Sequence, residues 1–451
     1  MKLLFLAFEF PPMNTIGAQR PLKFAKYLPE LGIEPIVVTA SVETCRGLGM
    51  RLDPAPLGEL APHIRVERVQ TDALPLTGNS SRRVWLRNFF WPNDPIGWMW
   101  RRPLAARVAA LLREGKIDAM YATIPPFSLG PLVHRLARQH HLPLLLDMRD
   151  PWSQWGQSPR PSWLHHRMQV GQERRCLAGC HRAFAVSEPM RENLLAAHPM
   201  ISPDRLRVIP NGHELDLQAL AAAPLAPGRN GPFVIGHVGT FWYSPGSHQS
   251  TFQPFWKRAP WRMAQYTPRR EDWFYQTPHG FFRGLARLLA EEPARRAQVR
   301  VRFAGERPPW MDGMVAEFGL QDVVEHLGHL DRHACATFEA SCDALLITSV
   351  KVVGGVDYRL PGKLFNYLAS NRPIFGVLTP GSTRDFVEQC GLGVLADPDD
   401  PVDVAEKLRA LMAGRFRFSL NRTVLAKFHR RETTRMLVDE VREAVEAGGG
   451  R

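Results

Sequence analysis

The sequence predicts an α/β chain with two successive, parallel and doubly wound sheets. Short apolar runs alternate with helical segments along most of the 451 residues, as strands and helices do in parallel sheets. A stretch rich in Pro, Gly and Ala at 221–232 interrupts the alternation and predicts a linker. A second alternating series begins at residue 233. We therefore expect an N-terminal domain at 1–220, a second domain at 233–425, and a helix at 426–451 that can pack back on the first domain.

The first domain opens on an apolar run that predicts a buried strand. The six predicted strands are residues 3–8, 35–39, 119–122, 142–146, 182–186 and 206–209. Segments with helical spacing separate them at residues 21–31, 103–113, 129–139 and 188–196. Because helices that connect parallel strands cover both faces of a sheet, this order predicts a doubly wound domain.

The second domain repeats the pattern. Its predicted strands are residues 233–238, 299–304, 323–327, 344–348 and 373–377, followed by a last helical region at 420–447. Two Rossmann-like domains in tandem predict a cleft between the carboxyl ends of the two sheets, where ligands of open α/β sheets bind.

Two irregular segments interrupt the order. Residues 81–103 mix six aromatic side chains with five Arg, and residues 243–276 form a long aromatic insertion in the second domain. Loops this long are usually functional or disordered, and so many aromatics argue against disorder. The insertion is open to interpretation as a lid, an acceptor platform or an oligomer contact. Residues 81–103 predict docking on an anionic membrane surface, with burial of their Trp side chains in the domain as the alternative.

Composition and charge narrow the class of protein. The chain is 45% hydrophobic and 22% charged, as in soluble globular proteins. Glu9 interrupts the first apolar run, unlike a signal peptide, and no run approaches the ~18 apolar residues of a membrane-spanning helix. We therefore expect a cytoplasmic protein, peripheral at the inner membrane face. Cys176 and Cys180 have no second pair at metal spacing, which predicts neither zinc nor a disulfide framework.

The net charge of +13 suits three kinds of partner: nucleic acid, an anionic membrane surface or a phosphorylated substrate. No nucleic-acid-binding module accompanies the charge, so we expect no nucleic-acid partner.

Residues 357–370 predict a helix start that binds phosphate. Pro361 suits the first turn of a helix, and Gly362 lets the backbone approach a ligand. Free N–H groups and the helix dipole favour a phosphate there, and Lys363 adds a full positive charge. Asn366 lies one turn further on, within reach of a ribose hydroxyl. The layout fits a nucleoside diphosphate, and an ordinary helix start with a solvated Lys is the alternative.

Several motifs carry a family resemblance when they are taken in chain order. They are Phe10 to Pro12 with Gly17, Tyr121 to Ser128, Leu146 to Trp152, Ala185 to Glu188, Val208 to Gly212, His237 to Thr240, Pro361 to Pro373, Gly381 to Thr383 and Gly391 to Gly393. Together they resemble the GT-B fold glycosyltransferases, specifically glycosyltransferase family 4. The segments at 121–128 and 146–152 are similar to those of a bacterial subgroup that builds surface polysaccharides.

This resemblance implies that a sugar passes from a nucleotide-sugar to a glycan or lipid-linked acceptor, with retention at the anomeric carbon. The donor would bind mainly to the second domain and the acceptor mainly to the first. Family members generally need no metal, because basic side chains and helix dipoles neutralise the leaving diphosphate. The resemblance therefore implies no metal and no cofactor besides the nucleotide-sugar. The paired carboxylates of Asp399-Asp400 are accordingly interpreted as a helix cap and not as a metal site.

For the donor, the resemblance implies groups at the ends of strands and helices. Lys363, with the backbone N–H groups of Gly362 and Leu364, is expected to stabilise the leaving diphosphate. Arg307 is expected to lie near the diphosphate or the base and to assist catalysis. The other expected donor-binding residues are Gly17, Gly239, Thr240, Glu306, Asp357, Pro361 and Asn366.

Asn366 departs from the family pattern. Family members usually carry Glu here, which accepts hydrogen bonds from both ribose hydroxyls, whereas Asn accepts one bond and donates another. Eight positions earlier many members have a further Glu that contacts the sugar, and this chain has Tyr358 beside Asp357. Asp357 is expected to supply the missing carboxylate if the loop is shifted by one residue.

For the acceptor, the candidates lie in the first domain. Asp150 and Arg149 follow the carboxyl end of a predicted strand, where Asp150 is expected to orient the acceptor hydroxyl or to take its proton. Arg149 and Arg20 are expected to bind the acceptor. The alternatives are an internal Arg–Asp pair or helix cap at 149–150, and a solvated Arg at position 20.

Two other functions fit the same fold. A nucleotide-sugar epimerase would need carboxylates for proton transfer and elimination at the sugar, and the expected cleft offers few. A non-catalytic GT-B protein would bind partners through the insertion at 243–276, and Asn366 favours this alternative.

Overall fold

The computed structural model describes residues 1–72, 81–156, 159–218, 231–416 and 418–449. The chain forms two compact units, each made from more than one stretch of sequence. The first unit comprises Met1–Asn211, Pro254–Arg269 and Arg430–Arg451, and the second comprises Gly212–Gln253 and Arg270–His429. The linker that the sequence predicts at 221–232 lies outside the described residues except for its last two positions.

The first unit contains a seven-stranded parallel sheet. Its strands are β1 (Lys2–Ala7), β2 (Glu34–Ala40), β3 (Arg65–Val69), β4 (Ala119–Ile124), β5 (Leu144–Met148), β6 (Arg182–Ala185) and β7 (Leu206–Val208), in the order β3-β2-β1-β4-β5-β6-β7. The prediction missed β3, because three charged residues, Arg65, Glu67 and Arg68, interrupt the apolar run of this edge strand.

Seven helices of the first unit connect these strands. They are α1 (Ile16–Tyr27), α2 (Val42–Gly47), α3 (Ser81–Phe90), α4 (Ile96–Glu114), α5 (Leu129–Gln139), α6 (Trp163–Gly179) and α7 (Glu188–Ala197). Short 3-10 turns lie at Pro29–Leu31, Ala55–Glu59 and Pro203–Arg205 and, in the insertion, at Phe255–Lys257 and Pro260–Arg262.

Helix α1 begins five residues earlier than the sequence predicts. The Thr15 side chain caps it by accepting a hydrogen bond from the backbone of Ala18. Pro21 lies inside the helix and has no N–H to donate to the carbonyl of Gly17. The Arg149 guanidinium donates to that carbonyl instead, which explains how the helix continues through the proline.

The second unit contains a six-stranded parallel sheet and a small antiparallel pair. Its strands are β8 (Phe233–Val238), β9 (Glu271–Asp272), β10 (Val299–Ala304), β11 (Val324–Gly328), β12 (Ala344–Thr348), β13 (Lys351–Val352), β14 (Ile374–Val377) and β15 (Gly393–Ala396). The main sheet has the order β11-β10-β8-β12-β14-β15, and β13 pairs with β9. The predicted α/β fold with two parallel sheets is therefore confirmed, although the prediction missed the short edge strand β15.

Helices cover the second sheet. They are α8 (Pro245–Phe252), α9 (His279–Glu291), α10 (Met311–Glu317), α11 (Arg332–Ser341), α12 (Gly362–Ala369), α13 (Ser382–Cys390), α14 (Pro401–Met412) and α15 (Arg422–Ala426), with 3-10 turns at Trp273–Gln276 and Pro293–Gln298. Among all described helices, none is long and apolar enough to span a membrane.

The last helix, α16 (Arg430–Gly449), belongs to the first unit although the chain reaches it from the second. Its side chains Leu437, Val438, Val441 and Ala444 are buried in the same apolar core as Leu3 and Phe5 of β1. The single helical region predicted at 420–447 is thus two helices, α15 and α16, which lie in different units.

Candidate functional site

The sheet of the second unit has a switch point at β8, because β10 lies on one side of it and β12 on the other. Ligands of open α/β sheets bind outside the carboxyl ends of the strands at such a point. Gly239 and Thr240 directly follow β8 at this edge. This edge is the candidate site for a nucleotide.

Lys363 reaches the same edge from the first turn of α12. Its Nζ lies 3.3 Å from Nε2 of His237, and a Cβ added to Gly239 would lie 3.0 Å from that Nζ. Gly239 has a φ of +119°, which side chains with a Cβ rarely adopt. Both space and conformation therefore favour glycine at 239, and the structure brings together these two residues of the expected donor site.

His237 is a neutral acceptor for the Lys363 ammonium. Its Nδ1 lies 3.0 Å from the carbonyl oxygen of Leu346, so we assign the ring proton to Nδ1, which donates this bond. Burial and the nearby charge of Lys363 hold the pKa of His237 well below its usual value. The unprotonated Nε2 therefore faces Lys363.

The charge of Lys363 is weakly compensated. Burial lowers the pKa of Lys363 to about 8, and the negative charge of Glu339 partly opposes this shift. Burial also raises the pKa of Glu339 to about 7. Lys363 forms no salt bridge with any residue that the structure describes, and it contacts the neutral ring of His237. A bound phosphate would stabilise the ammonium at this position.

Helix α12 is fixed to β8 by the buried side chain of Tyr367, whose hydroxyl accepts a hydrogen bond from the backbone N–H of Val238 at 2.9 Å. Pro361 caps this helix and Gly362, its first residue, is exposed. The N–H of Leu364 bonds the carbonyl oxygen of Pro361 at 3.1 Å. That N–H is used inside the turn, so the geometry does not favour the ligand-binding role that we expected for Leu364.

Asp357 lies buried within the loop that precedes α12. Its carboxylate accepts hydrogen bonds from the backbone N–H groups of Val350 and Arg359, at 3.3 and 3.1 Å. The Arg359 guanidinium also donates to it at 2.7 Å. These bonds occupy the carboxylate, so the geometry favours a role in shaping the loop over the sugar contact that we expected for Asp357.

Arg359 connects the end of the insertion to this loop. Its guanidinium forms an ion pair with the buried carboxylate of Glu271. It also contacts two rings, 4.7 Å from the centroid of Trp273 and 4.6 Å from that of Tyr358. Beside it, β9 pairs with β13. The last part of the insertion is therefore part of the support for the loop before α12.

The other expected residues of the second unit are accessible. Glu306 and Arg307 follow β10 on the surface, where Arg307 Nε lies 2.9 Å from Oδ1 of Asp312. Thr240 is half-buried, and Asn366 is exposed on α12. The roles of these four expected site residues in donor binding and catalysis stay predictions.

In the first unit, Gly17 lies against an ion pair. Arg149 Nη1 is 3.1 Å from Oε2 of Glu9, which follows β1, and a Cβ added to Gly17 would overlap both side chains. Arg149 also donates to the carbonyls of Gly17 and Pro125. Position 17 therefore needs glycine for packing, and Arg149 serves to hold the carboxyl edge of this sheet. Asp150 is half-buried at the same edge, after β5.

Arg20 has a different place from the one that we expected. It is buried, and its guanidinium forms a bidentate pair with Asp147 at 2.9 and 2.8 Å. It also donates to the carbonyls of Ile209 and Pro210, each within 2.9 Å. With all these donors used internally, Arg20 is placed to hold the fold, and the geometry does not favour acceptor binding.

Sequence reasoning assigned no site role to His237, Glu271, Tyr367 or Glu9. A polar residue on a buried strand was a signal for His237, since such groups often mark sites. Glu271 gave no local signal, because its partner Arg359 is 88 positions away.

Residues 17–212 match the family model described as a glycosyl transferase 4-like domain. No curated protein is significantly similar to the chain.

Several solved structures share the fold over nearly the whole chain. A glycosyltransferase from Rickettsia africae is 13% identical with a TM-score of 0.53, covering 99% of this chain and 97% of its own. The HepE protein of Anabaena, in complex with UDP and glucose, is 15% identical with a TM-score of 0.53 and full coverage of both chains. Sucrose-phosphate synthase from Thermosynechococcus elongatus is 15% identical with a TM-score of 0.54, covering 99% of this chain and 97% of its own.

These identities are low, so the solved structures establish the architecture alone. The chain thus has the GT-B fold of two α/β units, and its residues 17–212 match the model of a glycosyl transferase 4-like domain.

Proposed function

We propose that this protein is a retaining glycosyltransferase, a hexosyltransferase that moves a sugar from a nucleotide-sugar to a glycan or lipid-linked acceptor. One observation carries the proposal: the Lys363 ammonium lies at the carboxyl end of β8 beside Gly239, without a salt-bridge partner among the described residues. An unpaired positive charge at this edge suits the diphosphate of a nucleotide.

The chemical step needs that charge. As the bond between the anomeric carbon and the diphosphate oxygen breaks, its electron pair stays on the diphosphate. A positive group already in place stabilises the developing negative charge without reorganisation. We propose that Lys363 and the exposed start of α12 at Gly362 have this role; the contact of Lys363 with His237 at the end of β8 supports it. We propose that they, with Arg307, take the part that a metal ion has in other transferases, so that no metal or further cofactor is needed.

The acceptor hydroxyl bonds to the anomeric carbon and loses its proton. We keep Asp150 as the candidate that orients this hydroxyl or accepts the proton, since it lies at the carboxyl edge of the first sheet, next to the ion-paired Arg149. The setting that we propose is bacterial polysaccharide or glycolipid synthesis on the cytoplasmic side of a membrane.

Uridine nucleotides are the first donors to try. The HepE protein of Anabaena has been crystallised with UDP and with UDP-glucose. At 16% identity or less this likeness gives only the fold, so it supports a choice of probe and leaves the base open.

A second candidate function has one observation in its favour. Phe255 and Trp256 of the insertion are exposed, and Asn366 stands where the family usually has Glu. A GT-B protein without catalysis that binds partners through these aromatics would explain both features.

The test is calorimetric titration with UDP, GDP, ADP and dTDP, for the unchanged protein and for Lys363→Ala. We expect one nucleotide to bind, and the variant to bind it roughly 10- to 100-fold more weakly, because hydrogen bonds to charged groups contribute about 1.5–3 kcal/mol. Lys427→Ala, which removes an exposed Lys of the same unit, should bind like the unchanged protein.

Absence of binding to all four nucleotides would refute the proposed transferase and favour the partner-binding alternative. Equal loss in the Lys363 and Lys427 variants would show that general positive charge, and not this site, attracts the nucleotide.

A further inference from the structure

Three separate segments of sequence meet on the first unit. They are residues 81–103, which include α3 and the start of α4, the first half of α6, and residues 254–269 of the insertion. We call the surface that they form the basic aromatic surface. The proposed glycosyl transfer uses none of its side chains.

Contacts along the backbone and between rings join the three segments. His165 of α6 has its Nε2 3.1 Å from the carbonyl oxygen of Phe89, and the two ring centroids are 4.8 Å apart. The backbones of Arg160, just before α6, and Tyr266 exchange two hydrogen bonds of 2.8 and 3.0 Å. The Tyr266 ring also lies 4.9 Å from that of His166. The segments are therefore neighbours within one unit.

Large apolar side chains of all three segments face solvent. Phe90 of α3 is 62% exposed, Trp163 and Leu164 at the start of α6 are 55% and 61% exposed, and Trp256 of the insertion is 66% exposed. Single exposed apolar residues are common, but a group of this size on adjoining segments marks an interaction surface.

The charge of this surface has one sign. Residues 254–269 contain no acidic residue, residues 81–103 contain only Asp94, and α6 contains only Glu173. Asp94 bonds the backbone and hydroxyl of Ser128, and Glu173 is buried. Basic residues are frequent by contrast: Arg87, Arg101, Arg102, Arg167, Lys257 and Arg262.

Arginine and tryptophan are also paired side by side. The Arg101 guanidinium lies 5.3 Å from the ring centroid of Trp98, and that of Arg167 lies 5.3 Å from the ring centroid of Trp163. This pairing places an amphipathic ring next to a group that binds phosphate. Such a combination suits the level of lipid headgroups, where rings enter the interface and cations meet phosphates.

We infer that the basic aromatic surface docks the first unit on an anionic lipid bilayer, and that residues 254–269 of the insertion serve as part of this dock. A second copy of the chain is a poorer occupant, because a two-fold contact would bring the same positive charges together. The inference extends the proposed function, since it would bring a transferase to a lipid-linked acceptor. It does not depend on the nucleotide site.

The test is co-sedimentation of the full chain with phosphatidylcholine vesicles, with and without phosphatidylglycerol. We expect binding only to the anionic vesicles, weakening as salt is raised. Arg167→Glu with Lys257→Glu should weaken binding by at least about tenfold, given the contribution of each basic residue near a charged surface. Trp163→Ser with Trp256→Ser should weaken it while leaving the net charge unchanged.

The matched control is Arg422→Glu with Lys427→Glu, the same change of charge on exposed residues of the second unit. It should bind vesicles like the unchanged protein. Circular dichroism and UDP calorimetry of each variant report folding and the nucleotide site separately, so that failure of docking and failure of the proposed function are distinguishable.

Three outcomes would overturn the inference. The first is no sedimentation with anionic vesicles, and the second is an equal loss in the control variant. The third is a dimer in sedimentation velocity that the surface variants abolish while vesicle binding persists, which would assign the surface to self-association.

Discussion

The surroundings of Lys363 favour loss of the proton that gives its side chain a positive charge. The ring of His237 that faces it is neutral and Glu339 forms no salt bridge with it, so burial lowers the pKa of Lys363 to about 8. A diphosphate favours the charged form and would raise that pKa again. Ligand binding and proton binding at Lys363 should therefore be coupled.

We predict that UDP affinity is constant near pH 7 and falls above about pH 8, where free Lys363 loses its proton before it can meet the nucleotide. Binding at pH 8 should take up protons, measured by calorimetry in buffers of different ionisation enthalpy. The diphosphate keeps its charge between pH 7 and 9, because its last pKa is near 6.

The Lys363→Arg variant should bind UDP without this pH dependence, since the guanidinium stays charged throughout this range. The same fall in the Arg variant would place the titration on another group, such as Glu339, whose pKa is raised to about 7.

Residue roles could be predicted from sequence where the determinants are local. Lys363 and Gly362 share one helix start, and Gly239 follows a buried strand, so a motif located them at the same edge. Arg20 was assigned to the acceptor because its partner Asp147 is 127 positions away and no local pattern shows their pairing.

At the scale of elements, the pair of β9 with β13 depends on buried charge. Glu271 has a fully buried carboxylate, and its partner Arg359 is itself held by Asp357 and two aromatic rings. Removing one partner of such a pair leaves the other charge buried and uncompensated. The stability of the β9–β13 pair should therefore be sensitive to removal of the Glu271 carboxylate.

We predict that Glu271→Ala destabilises the second unit by about 3–5 kcal/mol, as does loss of one partner of a buried ion pair. Denaturant unfolding measures this change. The matched control is Glu325→Ala, which removes the partner of the more exposed Arg302 and should cost at most about 1 kcal/mol. Equal losses in both variants would mean that Arg359 is hydrated and that the pair contributes little.

The boundaries of elements depended on contacts that sequence patterns omit. The prediction started the first helix at Pro21, because proline suits a helix start. In the structure the helix begins at Ile16, because the Thr15 side chain accepts the hydrogen bond of a free backbone N–H and Arg149 donates to the carbonyl oxygen of Gly17. Strand β3 was missed because its exposed edge carries charges. Buried strands such as β1 and β12, with continuous apolar runs, were predicted well for the same physical reason.

At the scale of the whole molecule, the C-terminal helix α16 completes the core of the unit that contains the N-terminus. Leu437 and Val438 are fully buried among residues of β1 and α1. The order of segments in the sequence does not show this, because contacts between residues hundreds of positions apart leave no local pattern.

We predict that Leu437→Ala destabilises the first unit by about 2–5 kcal/mol, since it leaves a cavity in a packed core. The adjacent Met436, 41% exposed, provides the control, and Met436→Ala should change the unfolding free energy by less than about 0.5 kcal/mol. Tryptophan fluorescence during denaturation reports the difference. Two variants of equal stability would show that α16 is dispensable for this core.

The discontinuous make-up of both units limits how such a protein can be recombined. The chain enters or leaves the first unit after Asn211, before Pro254, after Arg269 and before Arg430. A single crossover between two related genes would therefore always leave the first unit with segments from both parents, because this unit contains both ends of the chain. An exchange of the first unit between relatives would have to transfer three separate pieces together, and the piece at 254–269 lies between the two coding segments of the second unit. We therefore expect the coding sequences of both units to be inherited together, and few chimaeras between relatives to fold.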